Sequence, residues 1–241
     1  MVPPRRSPYH RVEAGVFVWE RHDQQGQARG TNQELSMVRG AFHDYGYGVR
    51  SIPIPVNARS RSQFPVALQN KLVNLASAST LIILYYQGNA GLDRHGHLVL
   101  SNGNGQRMHW SDVVNAIIPV RCDVLAILNC HHAGAAVRSC VRSRPNYEGH
   151  DKQVMMAVPA NMRTHWNSGA GFAACLEQAL RDRRRNWENN FKGTPGHWAQ
   201  AINRTIGMKS GSAGQVSVDH LIRPPTQAAQ RPIVLGPKTG C

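Results

Sequence analysis

The sequence is organised around residues 80–86, which read TLIILYY. A near-continuous run of aliphatic and aromatic side chains is typical of a strand that is buried on both faces of a parallel sheet. Shorter runs of similar character flank it, and they read GVFVW at 15–19, YGVRSIPI at 47–54, DVLAILN at 123–129, QVMMAV at 153–158 and QVSVDHLI at 215–222. We therefore predict a sheet of about six strands with residues 80–86 at its centre.

Segments with helical spacing of apolar residues lie between these strands. The spacing predicts helices around 35–42, 64–76, 110–118, 172–185 and 198–206. Ser111 or Asp112 is the expected N-cap of the third helix. Residues 97–105 end in Asn-Gly-Asn-Gly, which favours the tight turn of a small hairpin. Crossovers of helical length predict an α/β domain with a mainly parallel sheet and helices on both faces, and they leave the direction of the last strand open.

Length and composition fit one folded domain. The chain has 241 residues, enough to bury a sizeable core in a single domain. We expect this domain to span 12–224, between a flexible basic tail at 1–11 and a flexible tail at 225–241, with a mobile loop at 138–150. A mean hydropathy of −0.41 and the lack of a long apolar run predict no membrane span.

Charge and cysteine content narrow the classes of function. Lys and Arg number 28 against 14 Asp and Glu, and the net charge of +14 attracts nucleic acid, anionic membranes or acidic proteins. The tightest basic cluster, at 181–185 near Trp187, is the best candidate for an arginine-rich nucleic-acid site. A solvated helix end is the favoured explanation, because interleaved aromatic residues are few and no known nucleic-acid module is present. Five cysteines without CxxC spacing argue against a disulfide scaffold or a zinc ribbon. We expect a reduced protein in the cytoplasm, with the nucleus as an alternative.

Two strand ends carry polar sequences that are suited to chemistry. Residues 85–90 read YYQGNA and residues 129–134 read NCHHAG. In an open parallel sheet, binding crevices form at the carboxyl ends of the strands. Both stretches are therefore expected at the same edge of the sheet.

These stretches resemble the strand ends of the caspase and metacaspase clan, most closely its fungal caspase-like members. In that family one strand is followed by Tyr-Tyr-x-Gly-His-Gly, whose His is the general base. Another is followed by Asp-(Ser/Cys)-Cys-His-(Ser/Ala)-Gly. The third residue of this motif, the Cys directly before the His, is the nucleophile. The order of strands and helices extends the resemblance over roughly residues 14–224, and it implies a single caspase-like domain.

Carried over residue by residue, the resemblance places Asn89 at the base position, His131 at the nucleophile position and Asn129 at the position of an acidic residue. A carboxamide does not accept a proton near neutral pH, so Asn89 cannot act as a general base. The imidazole of His131 offers no thiolate for attack on a peptide carbonyl. The resemblance thus implies the fold of a peptidase without its catalytic dyad.

The neighbouring Cys130 keeps a route to activity open. Adjacent residues of a strand point to opposite faces, so its thiol is expected to face the core. With His95 or His97 as a displaced base, Cys130 would nevertheless make the protein a cysteine-type endopeptidase. The cysteine peptidase is the first alternative to a protein that only binds peptides or proteins, and an arginine-rich nucleic-acid binder is the second.

The histidines and cysteines do not form a specific metal motif. Spacing of the kind i, i+4 or CxxC, which is typical of such sites, is missing from the set Cys130, His131, His132, His95, His97 and His109. The strand-end glycines also match neither GxGxxG nor GxxxxGK[ST]. We predict no metal and no cofactor.

The sequence is best explained by a pseudopeptidase that acts by binding. The predicted groove for a peptide or protein partner consists of Gly88, Asn129, Cys130, His132 and Gly134. The expected partners include an active caspase-like chain that it regulates, and the resemblance implies pairing of two such domains along the last strand, at 215–222. Nucleic acid is the less favoured partner.

Overall fold

The run at 80–86 lies in the middle of a parallel sheet in the computed structural model of the chain, which describes residues 9–20, 28–139, 141–142, 150–161, 171–185, 193–210, 215–223, 233 and 235. The strands are β1 (Arg11–Trp19), β2 (Gly48–Ile54), β3 (Thr80–Leu92), β4 (Leu98–Ser101), β5 (Arg107–His109), β6 (Asp123–Cys130), β7 (Val141–Arg142), β8 (Lys152–Met156), β9 (Ser217–His220) and β10 (Ile222–Arg223). The helices are α1 (Ala28–Asp44), α2 (Ala58–Leu75), α3 (Trp110–Ile117), α4 (Phe172–Arg185) and α5 (Pro195–Ser210), with a 3-10 helix at Ala133–Ser139.

The sheet confirms the predicted architecture. Its main path runs β2-β1-β3-β6-β8-β9 through the described residues. β3 pairs in parallel with β1 on one side and with β6 on the other. β9 is antiparallel to β8 and lies at the edge of this path. The mainly parallel sheet therefore ends in the one strand whose direction the sequence left open.

Helices cover both faces, because alternate residues of the central strands point to opposite layers. Ile83 and Tyr85 belong to the core that is shared with α1, α4 and α5. Leu84 and Tyr86 belong to the core that is shared with α2, α3 and the 3-10 helix. All four side chains are almost completely buried, which explains why residues 80–86 lack the alternating polarity of a half-exposed strand.

The third strand continues beyond its predicted end. β3 reaches Leu92, and its last residues pair antiparallel with β4, which in turn pairs with β5. The predicted hairpin is present, and Gly103 and Gly105 in its turn have φ of 83° and 88°. We expected residues 85–90 at the end of a strand, but they lie within β3. This strand continues from the parallel sheet into the antiparallel hairpin.

The start of α3 differs from the expectation. The helix begins at Trp110, and its N-cap is His109, whose side chain makes no capping hydrogen bond. Ser111 and Asp112 therefore lie inside the first turn. The helix starts early because β5 runs directly into it and the fully buried Trp110 packs in the core.

Both ends of the folded domain reach further than the predicted boundaries. Tyr9, assigned to a tail, is buried, and its hydroxyl donates to Asp123 Oδ2 at 2.6 Å. Ile233 and Leu235 are fully buried in the core beneath α1, α4 and α5. The signal that was missed is the apolar run IVL at 233–235.

The predicted loop at 138–150 is partly structured. Its first residues complete the 3-10 helix, and β7 pairs in parallel with β10. Residues 143–149 lie outside the described residues, as do Cys140 and Trp187. No helix in the described part of the chain has the length and apolar character that crossing a membrane requires.

Candidate functional site

The register of β3 and β6 brings the two positions of the expected dyad together. Gly88 and Cys130 are partners in this ladder, and Asn89 and His131 are the next residues of their chains. Asn89 is exposed and His131 is half-buried. The predicted meeting of residues 85–90 and 129–134 at one edge of the sheet is therefore present in the structure.

Tyr86 fixes the backbone of Asn89 from below. Its buried hydroxyl lies 2.7 Å from the Asn89 carbonyl and 3.1 Å from the Ser101 carbonyl, and it accepts a hydrogen bond from Trp19 Nε1 at 3.3 Å. A Cβ on Gly88 would lie 2.6 Å from this hydroxyl. Position 88 therefore needs a glycine, because a larger residue would collide with the buried tyrosine beneath it.

A tight turn follows His131. His132 has φ of 58°, a left-handed conformation that costs energy for a residue with a side chain. Its Nδ1 lies 2.7 Å from the Ala160 carbonyl, and because a carbonyl only accepts, Nδ1 carries the hydrogen. The Gly134 amide donates to the Val158 carbonyl at 2.8 Å. The turn is thus anchored to the segment that follows β8.

Cys130 faces the core, as the alternation of the strand predicted. Its side chain is fully buried in the layer that contains Tyr86. Burial raises the pKa of this thiol far above its usual range, because the charged thiolate is poorly solvated there. A nucleophilic cysteine needs the opposite environment, partly exposed and electropositive.

Asn129 belongs to a buried polar chain that the sequence did not reveal. Its Nδ2 donates to the Tyr85 hydroxyl at 3.2 Å, and this hydroxyl donates to Gln87 Oε1 at 2.8 Å. Gln87 Nε2 donates in turn to a carboxylate oxygen of Glu34 on α1. Asn129 and Gln87 are each 3% exposed. Residues two apart on a strand share a face, and this was the available clue for Tyr85 and Gln87.

The predicted groove is therefore only partly open. Asn129 and Cys130 are buried and do not line an accessible surface. Gly88, His132 and Gly134 are half-buried. The accessible part of the groove consists of these three residues together with Asn89 and His131, and we call it the strand-end site.

The loop after β3 collects the histidines that were considered as substitute bases. Asp93 Oδ1 accepts the backbone amides of His95 and His97 at 2.8 and 2.9 Å. Its other oxygen lies 3.5 Å from His97 Nδ1 and 3.9 Å from His109 Nδ1. The amide hydrogen bonds, first that of His97, lower the pKa of Asp93. Within the described residues, no group of three His, Cys, Asp or Glu side chains is arranged to hold a metal ion.

Comparison with known proteins bears on the fold. No profile of a known protein family matches the chain, and no curated protein matches it in sequence. Its structure is similar to the crystal structure of caspase-1 from Spodoptera frugiperda, with a TM-score of 0.65 and 12% sequence identity over 100% of this chain and 98% of that chain. The fold is caspase-like. At this identity the similarity establishes the architecture and assigns no role to a residue.

The caspase-like sheet also carries a second concavity beside the strand-end site. A cavity of about 820 Å³ lies between α1 and the carboxyl ends of β1 and β2, and its lining includes Trp19, Arg39, His43 and Pro53. Arg39 Nη1 donates to Ser51 Oγ at 2.8 Å. Trp19 joins this cavity to the strand-end site through its hydrogen bond to Tyr86. Nothing in the spacing of these residues predicted a cavity here.

The predicted basic cluster lies on α4. Arg181 pairs with Glu177 one turn earlier, so part of its charge is balanced on its own helix. The side chains at 183–185 lie outside the described part of the chain. In this caspase-like fold, the described residues of α4 provide a core-packing face, with Leu176 and Leu180 buried.

Proposed function

We propose that this caspase-like protein is non-catalytic and acts by binding a peptide or protein segment at the strand-end site. One observation carries the proposal: neighbouring strand ends bring Asn89 and His131 to the same edge of the sheet, and the resemblance in sequence assigns these two residues to the positions of the base and the nucleophile. A carboxamide and an imidazole do not form a nucleophile–base pair for peptide hydrolysis. The strand ends of β3 and β6 still meet at one edge of the sheet, and we propose that this edge recognises a peptide without hydrolysing it.

The burial of Cys130 supports this proposal over the cysteine-peptidase alternative. For Cys130 to attack a peptide, its thiol would have to leave the core layer of Tyr86 and lose a proton at a raised pKa. His95 and His97, the substitute bases of that alternative, lie at Asp93 in the hairpin loop. The route therefore needs a rearrangement of β6 as well as a proton acceptor.

The proposed partners include an active caspase-like chain and a second copy of this one. β9 lies at the edge of the sheet and pairs only with β8 within the described residues. Its four residues, Ser-Val-Asp-His, form a short polar edge that can add a strand without a long apolar surface. Sedimentation equilibrium over a wide concentration range tests self-pairing, and a monomer throughout would leave only the heteromeric partner. We place this binding role in the cytoplasm, in keeping with the free thiols of Cys122 and Cys130.

The decisive experiment is incubation with a mixed peptide library, with and without calcium and reductant, analysed by mass spectrometry. We expect no cleavage by the wild-type chain and saturable binding of a subset of peptides. Cys130→Ala is the test variant. Cys175→Ala is its matched control, because Cys175 is also fully buried but lies on α4 in the other core layer.

The two variants separate the alternatives. Cleavage that disappears in Cys130→Ala and persists in Cys175→Ala would show that a dyad has been rebuilt around Cys130, and the proposal would be wrong. Iodoacetamide provides a second readout, because a buried thiol with a raised pKa reacts slowly. Cys130 should remain unmodified in the folded protein and become modified in urea.

A further inference from the structure

The end of β3 together with β4 and β5 presents a face that continues the strand-end site and is exposed at Asn89, Arg107 and His109, although Val99 within it is buried. Asn89, Ser101 and Arg107 form one cross-strand row. Gly91, Val99 and His109 form the next row. Paired residues of adjacent strands have their side chains on the same face. Arg107 therefore stands two strands away from Asn89 on one continuous surface, which we call the hairpin face.

The charged and titratable side chains of the hairpin face and its rim are mostly basic. Exposed guanidinium groups belong to Arg94, Arg107 and Arg138, and exposed imidazoles to His95, His97 and His109. Arg138, which follows the strand-end turn, donates from Nη1 to the Gly96 carbonyl at 2.6 Å and so joins the rim of the hairpin.

The carboxylate of this region is already engaged. Asp93 accepts two backbone amides and faces the rings of His97 and His109. Within the described residues, no carboxylate lies within ion-pair distance of Arg94, Arg107 or Arg138. These three cations are balanced by no neighbour in that part of the chain, although elsewhere Arg11 and Arg50 share Glu13.

The chemistry of the face favours a carboxylate-rich polypeptide over a nucleic acid. Guanidinium groups pair with carboxylates in a two-pronged geometry. Nucleic-acid surfaces of comparable charge add aromatic side chains on which bases stack. The large exposed apolar side chains of the described residues are Val66, Val73, Leu92 and Met208, none of them aromatic. β5 also pairs only with β4 in that part of the chain, which leaves an edge along which an extended segment can lie.

We infer that the hairpin face binds an acidic segment of a partner protein, with Arg107, Arg94 and Arg138 as the groups that select it. This inference rests on the proposed binding function and specifies the chemistry of the partner. The segment would lie along β5, from Arg107 toward the 93–97 loop, which carries Arg94 and accepts the hydrogen bond of Arg138. Its carboxylates would pair with guanidinium groups that have no carboxylate partner among the described residues.

Fluorescence anisotropy with the full chain tests the inference. The probes are a labelled peptide rich in Asp and Glu, the same peptide with Asn and Gln in their place, and an oligothymidylate of matched charge. The variants are Arg107→Gln and Arg138→Gln. Arg59→Gln is the control, because Arg59 is an exposed cation on α2, a helix that is not part of the hairpin face.

We expect the acidic peptide to bind and its amide counterpart to bind at least tenfold more weakly, which corresponds to a difference of about 1.4 kcal/mol in binding free energy. Each hairpin variant should weaken binding by about fivefold, the upper range for one exposed ion pair, and added salt should reduce the difference. Arg59→Gln should bind like the wild type. Circular dichroism of each variant checks that these exposed substitutions leave the fold intact.

Three outcomes would overturn the inference. Equal binding of the two peptides would leave a peptide-binding protein without charge selection, so the proposed function would survive alone. Equal weakening by Arg59→Gln would reduce the effect to net charge. Tighter binding of the oligothymidylate, lost in the same hairpin variants, would assign the face to nucleic acid. Cleavage of either peptide would instead overturn the proposed function.

Discussion

Placing an acid at position 129 should destabilise the fold. Asn129→Asp replaces a carboxamide that is 3% exposed and whose Nδ2 donates to the Tyr85 hydroxyl. The charged carboxylate that takes its place has no hydrogen to donate and can only accept hydrogen bonds. The Tyr85 hydrogen would then have to leave Gln87 to meet the new oxygen. Glu34 already places negative charge near Tyr85 and contributes, after burial, to its raised pKa. The new carboxylate would therefore lie buried beside an existing one.

The magnitude follows from the cost of charging that group. If burial raises the pKa of the new carboxyl from about 4 to about 6, the variant loses about 3 kcal/mol at pH 7.5. A folded-state pKa above the unfolded value makes this loss complete at high pH. The loss shrinks as the pH falls through the folded-state pKa toward the unfolded one, because the proton then neutralises the group in both states.

Urea unfolding at pH 7.5 and at pH 5 measures this effect, with wild type and variant compared at each pH. Asn89→Asp is the matched control, since the same chemical change occurs there on an exposed residue and should alter stability by less than about 0.5 kcal/mol. A variant at position 129 that is as stable as the wild type at pH 7.5 would refute the reasoning. It would mean that the site tolerates a carboxylate and that the polar chain does not require the amide.

Two further predictions concern the turn after His131 and the opposite end of the sheet. Gly134→Ala should cost at least about 2 kcal/mol, because the new Cβ would lie 2.5 Å from the backbone nitrogen of Ala160. Gly91→Ala, with nothing within 4 Å, should leave stability unchanged or raise it by up to about 1 kcal/mol. Similar thermal midpoints for the two variants would contradict this. His220 Nδ1 lies 2.9 Å from Asp151 Oδ1, and this hydrogen bond raises the pKa of His220. Its stabilisation is complete below the unfolded pKa and is lost as pH rises through the folded one, so His220→Gln should lower stability more at pH 6 than at pH 9, and equal losses at both would exclude the pairing.

The sequence predicted the parts of the fold that depend on alternation and helical spacing. The central strand, the five helices and the meeting of two strand ends follow from patterns within single segments. The continuation of β3 to Leu92 was missed because residues 87–92 are polar and glycine-rich, and what keeps them extended is pairing with β4. Long-range pairing of this kind leaves little trace in local composition.

The site was predictable in position and less so in accessibility. The direction of the Cys130 side chain followed from strand alternation, and its burial agrees. The burial of Asn129 did not follow, because it depends on Tyr85, Gln87 and a glutamate on a helix far away in sequence. Arg138 joined the hairpin rim through a hydrogen bond to Gly96 that no spacing indicates.

The uninterrupted passage of β3 from the sheet into the hairpin has a thermodynamic consequence for ligand capture. Loops that close over a ligand lose backbone freedom at a cost of about 1–2 kcal/mol for each residue ordered. Asn89 and its neighbours are already held by a ladder on one side and by the Tyr86 hydroxyl beneath, so that entropy is lost during folding instead of during binding. A preorganised surface of this kind gains affinity without needing a large contact area. It also rules out the strand as a moving lid, because displacing it would unpair β4 and uncover the core.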